Sequence, residues 1–147
     1  MPEILDDSQK ENPIVDVIYS IFRDGTRRKI LTLLGNMKLT ADELTKELGI
    51  SRPAVEKHLK QMLEIGLIER KADTYPTLKY IYTIPSPGLD LLSNVRDAID
   101  TFVSSLREEY TRRLENEEQM YVLGMSSKDR YEAIKKSYSS ILERLQK

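Results

Sequence analysis

The sequence predicts a mainly helical α+β fold with one small β-hairpin. Over most of the 147 residues, apolar side chains recur every three or four positions, as in amphipathic helices. The period falls to about two only after Gly66, where two short segments read as strands. We therefore expect a flexible N-terminus at 1–12, a compact domain of helices and hairpin at 13–85, and a helical region at 86–147.

Composition narrows the class of protein. With 39% hydrophobic and 32% charged residues, the chain suits a globular protein. It has no cysteine, which excludes disulfides and thiolate metal sites. The first residues are too acidic and polar for a signal peptide, and no apolar run approaches the ~20 residues that span a bilayer. We expect a cytoplasmic protein without a membrane partner.

Charge is concentrated in the middle of the chain. Residues 23–84 carry twelve Lys or Arg against eight acids, a net charge of +4, whereas residues 1–22 carry −4 and residues 85–147 carry −1. The overall pI of about 5.9 would ordinarily argue against a nucleic-acid binder. Nucleic-acid binding depends on charge concentrated on one face and not on the overall pI, so residues 23–84 remain a candidate for binding nucleic acid.

The first two helices are read from their caps and apolar stripes. Asn12 and Pro13 suit the N-cap and first position of a helix that stops near Gly25. Thr26 is expected to cap a second helix, which ends at Gly35. The residues expected to face inward are Ile14, Val15, Ile18, Ile21, Phe22, Ile30, Leu33 and Leu34.

Two further helices are joined by a very short turn. Thr40 and Glu43 have capping-box spacing and open the third helix, and Gly49 suits its left-handed C-terminus. Ser51 then caps a fourth helix, which Gly66 ends. The expected inward residues are Leu44, Leu48, Val55, Leu59 and Met62 or Leu63. Two helices so closely connected must cross steeply, which is the helix-turn-helix arrangement.

The two predicted strands are "LIERK" and "LKYIYTI", joined by the loop "ADTYPT". A hairpin that follows the second helix of a helix-turn-helix makes a winged helix. Its tip is long enough to reach a phosphate backbone.

The C-terminal region predicts a dimerisation coiled coil. A helix of about 30 residues carries an apolar stripe at heptad spacing, and Gly124 separates it from a last amphipathic helix. The proposed dimer interface consists of Leu92, Val95, Ile99, Phe102, Leu106 and Tyr110. The alternative is that the last helix folds back on the long one within the chain. Tyrosines and methionines there could also line a pocket for an unidentified small-molecule effector, although packing between helices is the commoner role.

Residues 13–84 resemble the winged-helix domain of ArsR-type bacterial and archaeal transcriptional repressors. The similarity is carried by "ELTKELGISRPAVEKHLKQMLEIGLIERK", in which the framework positions from Leu44 to Leu67 are in step with the family pattern. The long C-terminal helices resemble the dimerising extensions of archaeal winged-helix regulators. The resemblance implies a DNA-binding regulator of transcription.

The chain departs from the metal-sensing members of that family. Those sensors carry paired cysteines before the recognition helix or His and Asp pairs in the C-terminal helix, whereas His58 is the one histidine here. We therefore expect no metal and no other cofactor. Ala54 and Glu56 replace the Thr or Ser frequent in the family, so no base preference is carried over.

A set of mostly basic or polar residues on the fourth helix, the second helix and the hairpin is expected to contact DNA. The set is Arg27, Arg28, Ser51, Arg52, Pro53, Glu56, Lys57, His58, Lys60, Gln61, Arg70, Lys71 and Lys79. Arg and Lys suit guanine edges and phosphates, while Glu56 would accept from a cytosine amine or tether Lys60. The alternatives without a binding role are that the residues of the fourth helix form an ordinary solvated face, and that the hairpin residues are edge-strand charges that deter aggregation.

The sequence thus predicts a homodimeric, sequence-specific regulator that binds double-stranded DNA, with the fourth helix in the major groove and the wing on the flanking backbone. No catalytic motif or Gly-rich phosphate loop is present, so we do not expect an enzyme. The alternative function is a winged-helix protein-interaction module within a larger transcription or chromatin assembly. Salt-sensitive binding to bare duplex DNA separates the two.

Overall fold

The computed structural model describes residues 13–146. Its elements are α1 Pro13–Arg23, α2 Gly25–Asn36, β1 Leu39–Thr40, α3 Ala41–Leu48, α4 Arg52–Glu64, β2 Glu69–Asp73, β3 Lys79–Thr83, α5 Ser86–Val122 and α6 Lys128–Leu145. The predicted mainly helical α+β class is confirmed. The expected flexible segment 1–12 and the cap at Asn12 lie outside the described residues. The chain divides into two compact units between Leu92 and Ser93, slightly beyond the predicted boundary.

The start of α3 and the turn between α3 and α4 are built as the sequence predicts. Thr40 and Glu43 form a reciprocal capping box, in which each backbone N–H donates to the other side chain at 3.2 Å. Gly49 ends α3 in the left-handed conformation with φ 66°, which favours glycine. Ser51 caps α4 by accepting from the N–H of Ala54. Local hydrogen bonds therefore fix both ends of the turn.

The predicted cap of α2 at Thr26 is wrong. The helix begins at Gly25, and Asp24 is its N-cap, accepting from the N–H of Arg27 at 3.1 Å. Asp24 has extended backbone angles directly after α1, so its carboxylate reaches the third helical N–H. This hydrogen bond lowers the pKa of Asp24 below its usual value.

The sheet has one strand more than the predicted hairpin. Strands β2 and β3 pair antiparallel as expected, and β1 adds to the other side of β3 in the order β1-β3-β2. In this pairing Leu39 lies opposite Tyr82. The short strand β1 directly precedes α3, so the base of the hairpin is attached to the start of the helix-turn-helix.

The core of the first unit is apolar and is built from α1 to α4, β1, β3 and the residues just before and just after the hairpin. Its buried residues are Ile21, Ile30, Leu31, Leu34, Leu39, Ala41, Leu44, Val55, Leu59, Met62, Leu67, Ile68, Tyr82 and Ile84. The predicted inward stripe of α4 is confirmed, whereas in α1 only Ile21 is fully buried. The start of α5 packs closely on this core, since a Cβ added at Gly88 would lie 2.6 Å from the carbonyl oxygen of Leu67.

In the second unit, α6 folds back on α5 within the chain. The contacts that join the helices are Tyr121 with Tyr131 (stacked rings, 4.7 Å between centroids), Tyr110 with Tyr138 (edge to face, 5.2 Å), Arg107 Nη2 with the carbonyl of Leu145 (2.7 Å) and Arg130 Nη2 with Glu117 Oε1 (3.8 Å). As residue numbers rise along α5 they fall along α6, so the helices are antiparallel. The helix break predicted at Gly124 is confirmed, because α5 ends at Val122 and Ser127 caps α6.

None of the helices formed by residues 13–146 combines the length and apolar character that crossing a membrane requires.

Candidate nucleic-acid interface

Helix α4 buries one side and leaves the other to solvent. Val55, Leu59 and Met62 lie in the core. The opposite surface exposes five of the predicted residues, namely Arg52, Pro53, Glu56, Lys57 and Lys60. Three of these five are cationic. The helix therefore presents a continuous polar, predominantly basic face, and this surface is called the α4 face below.

The first and last predicted positions of α4 differ from this pattern. Ser51 is exposed, but its hydroxyl already accepts the hydrogen bond that caps the helix. Gln61 is half-buried, and its carboxamide oxygen is buried without a hydrogen-bond partner among the described residues.

Arg52 is held by two carboxylates. Its Nε donates to Glu56 Oε1 at 3.0 Å, and its Nη1 donates to Asp42 Oδ1 at 2.8 Å. The hydrogen bond to Glu56 and the charge of Asp42 raise the pKa of Arg52. Of the two roles considered for Glu56, the tether to Lys60 is not the contact that the structure shows, because Glu56 Oε1 binds the arginine one turn before it. Asp42 was not among the predicted site residues.

Arg27 and His58 contact each other. The guanidinium of Arg27 donates from Nε to Nδ1 of His58 at 3.0 Å, and from Nη1 to the backbone and hydroxyl oxygens of Ser20. Both residues are half-buried, whereas Arg28 is exposed and donates to the carbonyl of Phe22. In residues 13–146 no group of three His, Cys, Asp or Glu side chains is arranged to hold a metal ion.

The β2–β3 hairpin extends beside α4, and residues 74–78 form its tip. Its three predicted cations, Arg70, Lys71 and Lys79, are all exposed. The guanidinium of Arg70 lies 4.1 Å from the ring centroid of Tyr80, which orients this side chain.

An open groove of about 900 Å³ separates α4 from the hairpin. Leu59, Leu63 and Tyr82 contribute apolar walls. The charged residues that line it are Asp42, Arg52, Glu56, Lys60, Glu64, Arg70 and Lys79. The structure thus brings together predicted residues from α4 and the hairpin along one cleft, and adds Asp42 and Glu64 to them.

The predicted dimer residues divide into two groups. Ile99 and Phe102 are 56% and 62% exposed, which is unusual for large apolar side chains. The other four, Leu92, Val95, Leu106 and Tyr110, are half-buried. Leu92 packs against the core of the first unit, and Tyr110 packs on Tyr138 of the same chain. Of the six predicted residues, only Ile99 and Phe102 are therefore exposed.

Comparison with known proteins agrees with this architecture. The sequence profile of the bacterial regulatory proteins of the arsR family matches residues 24–70, which include the whole helix-turn-helix. The HTH-type transcriptional regulator Rv2034 of Mycobacterium tuberculosis is 32% identical over 103 residues, which make up 69% of this chain and 90% of that relative.

Solved structures share the fold at lower identity. The homodimeric winged helix-turn-helix DNA-binding domain of Mb0332 from Mycobacterium bovis superposes with a TM-score of 0.57 and 18% identity, covering 71% of this chain and 95% of that one. NolR from Sinorhizobium fredii gives a TM-score of 0.53 at 18% identity, covering 67% and 96%.

The winged-helix fold predicted from the sequence is therefore confirmed, and the similar proteins are regulators and not enzymes, as expected. With a family profile on its helix-turn-helix and a relative matched over nine-tenths of that relative's length, this chain belongs to the arsR family and is a winged-helix transcriptional regulator.

Proposed function

We propose that the protein is a homodimer that binds specific sites in double-stranded DNA, with α4 in the major groove and the hairpin on the flanking backbone. The observation that carries this proposal is the α4 face, whose three cations stand exposed beside a hairpin with three more. A helix of this size fits the major groove, where Arg and Lys recognise guanine edges and phosphates. A regulator of this kind acts in the cytoplasm, where the DNA of bacteria and archaea lies.

The cations divide by the contacts that they are placed to make. Arg52 is the first residue of α4, and base contacts concentrate at this end of a recognition helix. Lys71 and Lys79 lie on the hairpin, where they suit phosphates. Lys57 and Lys60 lie farther along the α4 face and also suit contacts with phosphates. Arg27, His58 and Gln61 are half-buried and act mainly by supporting the helix.

A second copy of the chain is the partner that the exposed apolar residues of α5 fit. Ile99 and Phe102 are three positions apart and therefore share one side of the helix. Two such surfaces can cover each other in a symmetric dimer. The Mycobacterium bovis domain is itself homodimeric, which supports self-association of this chain. A dimer also reads two half-sites, which raises affinity above the non-specific range.

The test is a salt titration of binding to duplex DNA. We would select bound sequences from random duplexes and measure the affinity of the best one against salt by fluorescence anisotropy. Lys57→Ala should weaken binding to all duplexes alike and reduce the magnitude of the salt slope by about 1, as loss of one phosphate contact predicts. Lys136→Ala removes an exposed lysine from α6 and should change neither quantity.

Two results would contradict the proposal. If Lys57→Ala and Lys136→Ala behave identically, α4 is not the helix that enters the groove. If the wild type shows no salt-sensitive affinity for any duplex, the protein-interaction module becomes the better explanation of the basic face.

A further inference from the structure

Arg52 is fixed by side chains from two different helices. Asp42 lies in the first turn of α3, while Arg52 and Glu56 lie one turn apart on α4. The two hydrogen bonds, at 2.8 and 3.0 Å, engage Nη1 and Nε of the guanidinium. Its Nη2 makes no hydrogen bond within residues 13–146, so both hydrogens of this atom remain available.

The local charge makes this arginine a poor ligand for phosphate. One cation faces two carboxylates, so the cluster of Asp42, Arg52 and Glu56 carries a net charge of −1. All three side chains are more than half exposed, and an approaching phosphate would meet the carboxylates as well as the arginine. A guanine edge offers neutral acceptors, N7 and O6, which the carboxylates do not repel in the same way.

We infer that Asp42 and Glu56 are specificity-determining residues, which hold Arg52 for a guanine edge and oppose its binding to phosphate. This inference rests on the proposed function and adds to it a distinction between residues that provide affinity for any DNA and residues that provide preference for one base. The carboxylates lower the affinity for DNA in general, and the arginine that they position restores affinity only where a guanine is present. Positioned in this way, Arg52 loses less conformational freedom when it binds the base.

The groove offers a matched control for this inference. Glu64 lines the same cleft and carries the same charge, but it does not contact Arg52. Its removal therefore changes the electrostatic potential of the cleft without releasing the arginine. Glu56→Gln and Asp42→Asn instead remove a charge from the cluster while keeping the shape of the side chain.

The experiment compares these variants on a selected duplex and on a scrambled duplex of equal length at the same salt concentration. Glu56→Gln and Asp42→Asn should tighten binding to the scrambled duplex and lower the ratio of specific to non-specific affinity by at least about 5-fold, the lower end of what a bidentate base contact provides. The loss of preference should fall on a single base pair. Glu64→Gln should tighten both duplexes alike and leave the ratio unchanged.

A second measurement separates positioning from simple charge. In the Arg52→Ala background, Glu56→Gln should cause no further loss of preference at that base pair, because the residue that it positions is absent. Equal ratios for Glu56→Gln and Glu64→Gln would overturn the inference while leaving the proposed function intact. Failure of the wild type to bind any duplex would instead overturn the proposed function, and the inference with it.

Discussion

Gly88 provides a sharp test of the packing, because the usual effect of its substitution should be reversed. Within a helix, Gly→Ala stabilises a protein by up to about 1 kcal/mol, and by less in the first turn, where Gly88 lies. At Gly88, however, the new Cβ would lie 2.6 Å from the carbonyl oxygen of Leu67 and 2.7 Å from Cγ2 of Ile84. Ordinary carbon–oxygen contacts are about 3.3 Å or longer, so the backbone of α5 must shift by roughly 0.7 Å.

The size of the effect follows from comparing the steric cost of the new Cβ with the gain in helix propensity. The side chain of Ile84 can change rotamer, but the backbone carbonyl of Leu67 cannot, so the cost should reach the upper part of the overpacking range of about 1–3 kcal/mol. Subtracting the helix-propensity gain leaves a net destabilisation of about 1–2 kcal/mol. For a unit of this size, that corresponds to a fall in Tm of roughly 5–15 °C.

Urea denaturation followed by far-ultraviolet circular dichroism would measure this change. Gly35→Ala is the matched control, since Gly35 lies in α2 and a Cβ there meets nothing within 4 Å. The control should be as stable as the wild type or more stable. If both variants gain stability, the close approach of α5 to Leu67 does not exist in solution, and the account of how the long helix joins the first unit is wrong.

Two further predictions address acid stability and assembly. The pKa of Asp24 is lowered on folding, so its carboxylate stabilises the folded state at pH values above the usual Asp pKa, and this stabilisation is lost as the pH falls through the lowered pKa. The variant Asp24→Asn keeps a good N-cap but has no carboxylate to protonate. It should therefore lose less stability than the wild type in an acid titration between about pH 5 and pH 2. Ile99→Asp combined with Phe102→Asp should halve the mass seen by light scattering and roughly halve the salt slope of DNA binding, because buried unpaired carboxylates would force the protomers apart. Ser104→Asp with Thr111→Asp adds the same charge to exposed positions on the opposite side of the same helix and should leave the dimer intact, and a dimer that survives the first pair would place the interface elsewhere.

Features encoded by neighbouring residues were predictable from the sequence. The capping box of Thr40 and Glu43 and the left-handed turn at Gly49 depend on side chains within one or two turns of each other, so their spacing identifies them. The cap of α2 was assigned incorrectly because Asp24 and Thr26 are both good N-caps and stand two residues apart. Only the end of α1 decides which of them has extended backbone angles.

Features that depend on distant residues were not predictable. Strand β1 is two residues long, too short to show any periodicity, and it exists because β3 lies beside it. The contact of Asp42 with Arg52 was also not predictable, because Asp42 is ten residues before Arg52 and lies on another helix. The pair of Arg52 and Glu56 has the i to i+4 spacing of a helical ion pair, but Lys60 has the same spacing from Glu56 on the other side. Sequence alone does not choose between them.

The side chain of Arg27 links three helices of the first unit. It arises from α2, reaches Ser20 in α1 with two hydrogen bonds of 3.3 Å, and donates to His58 in α4. A displacement of α1 by about 1 Å would break the bonds to Ser20 and free the guanidinium that also supports His58. We therefore expect the positions of α1 and α4 to be coupled through Arg27: a ligand that binds one arrangement of α1 more tightly than another would also act on α4, and DNA would act reciprocally on α1.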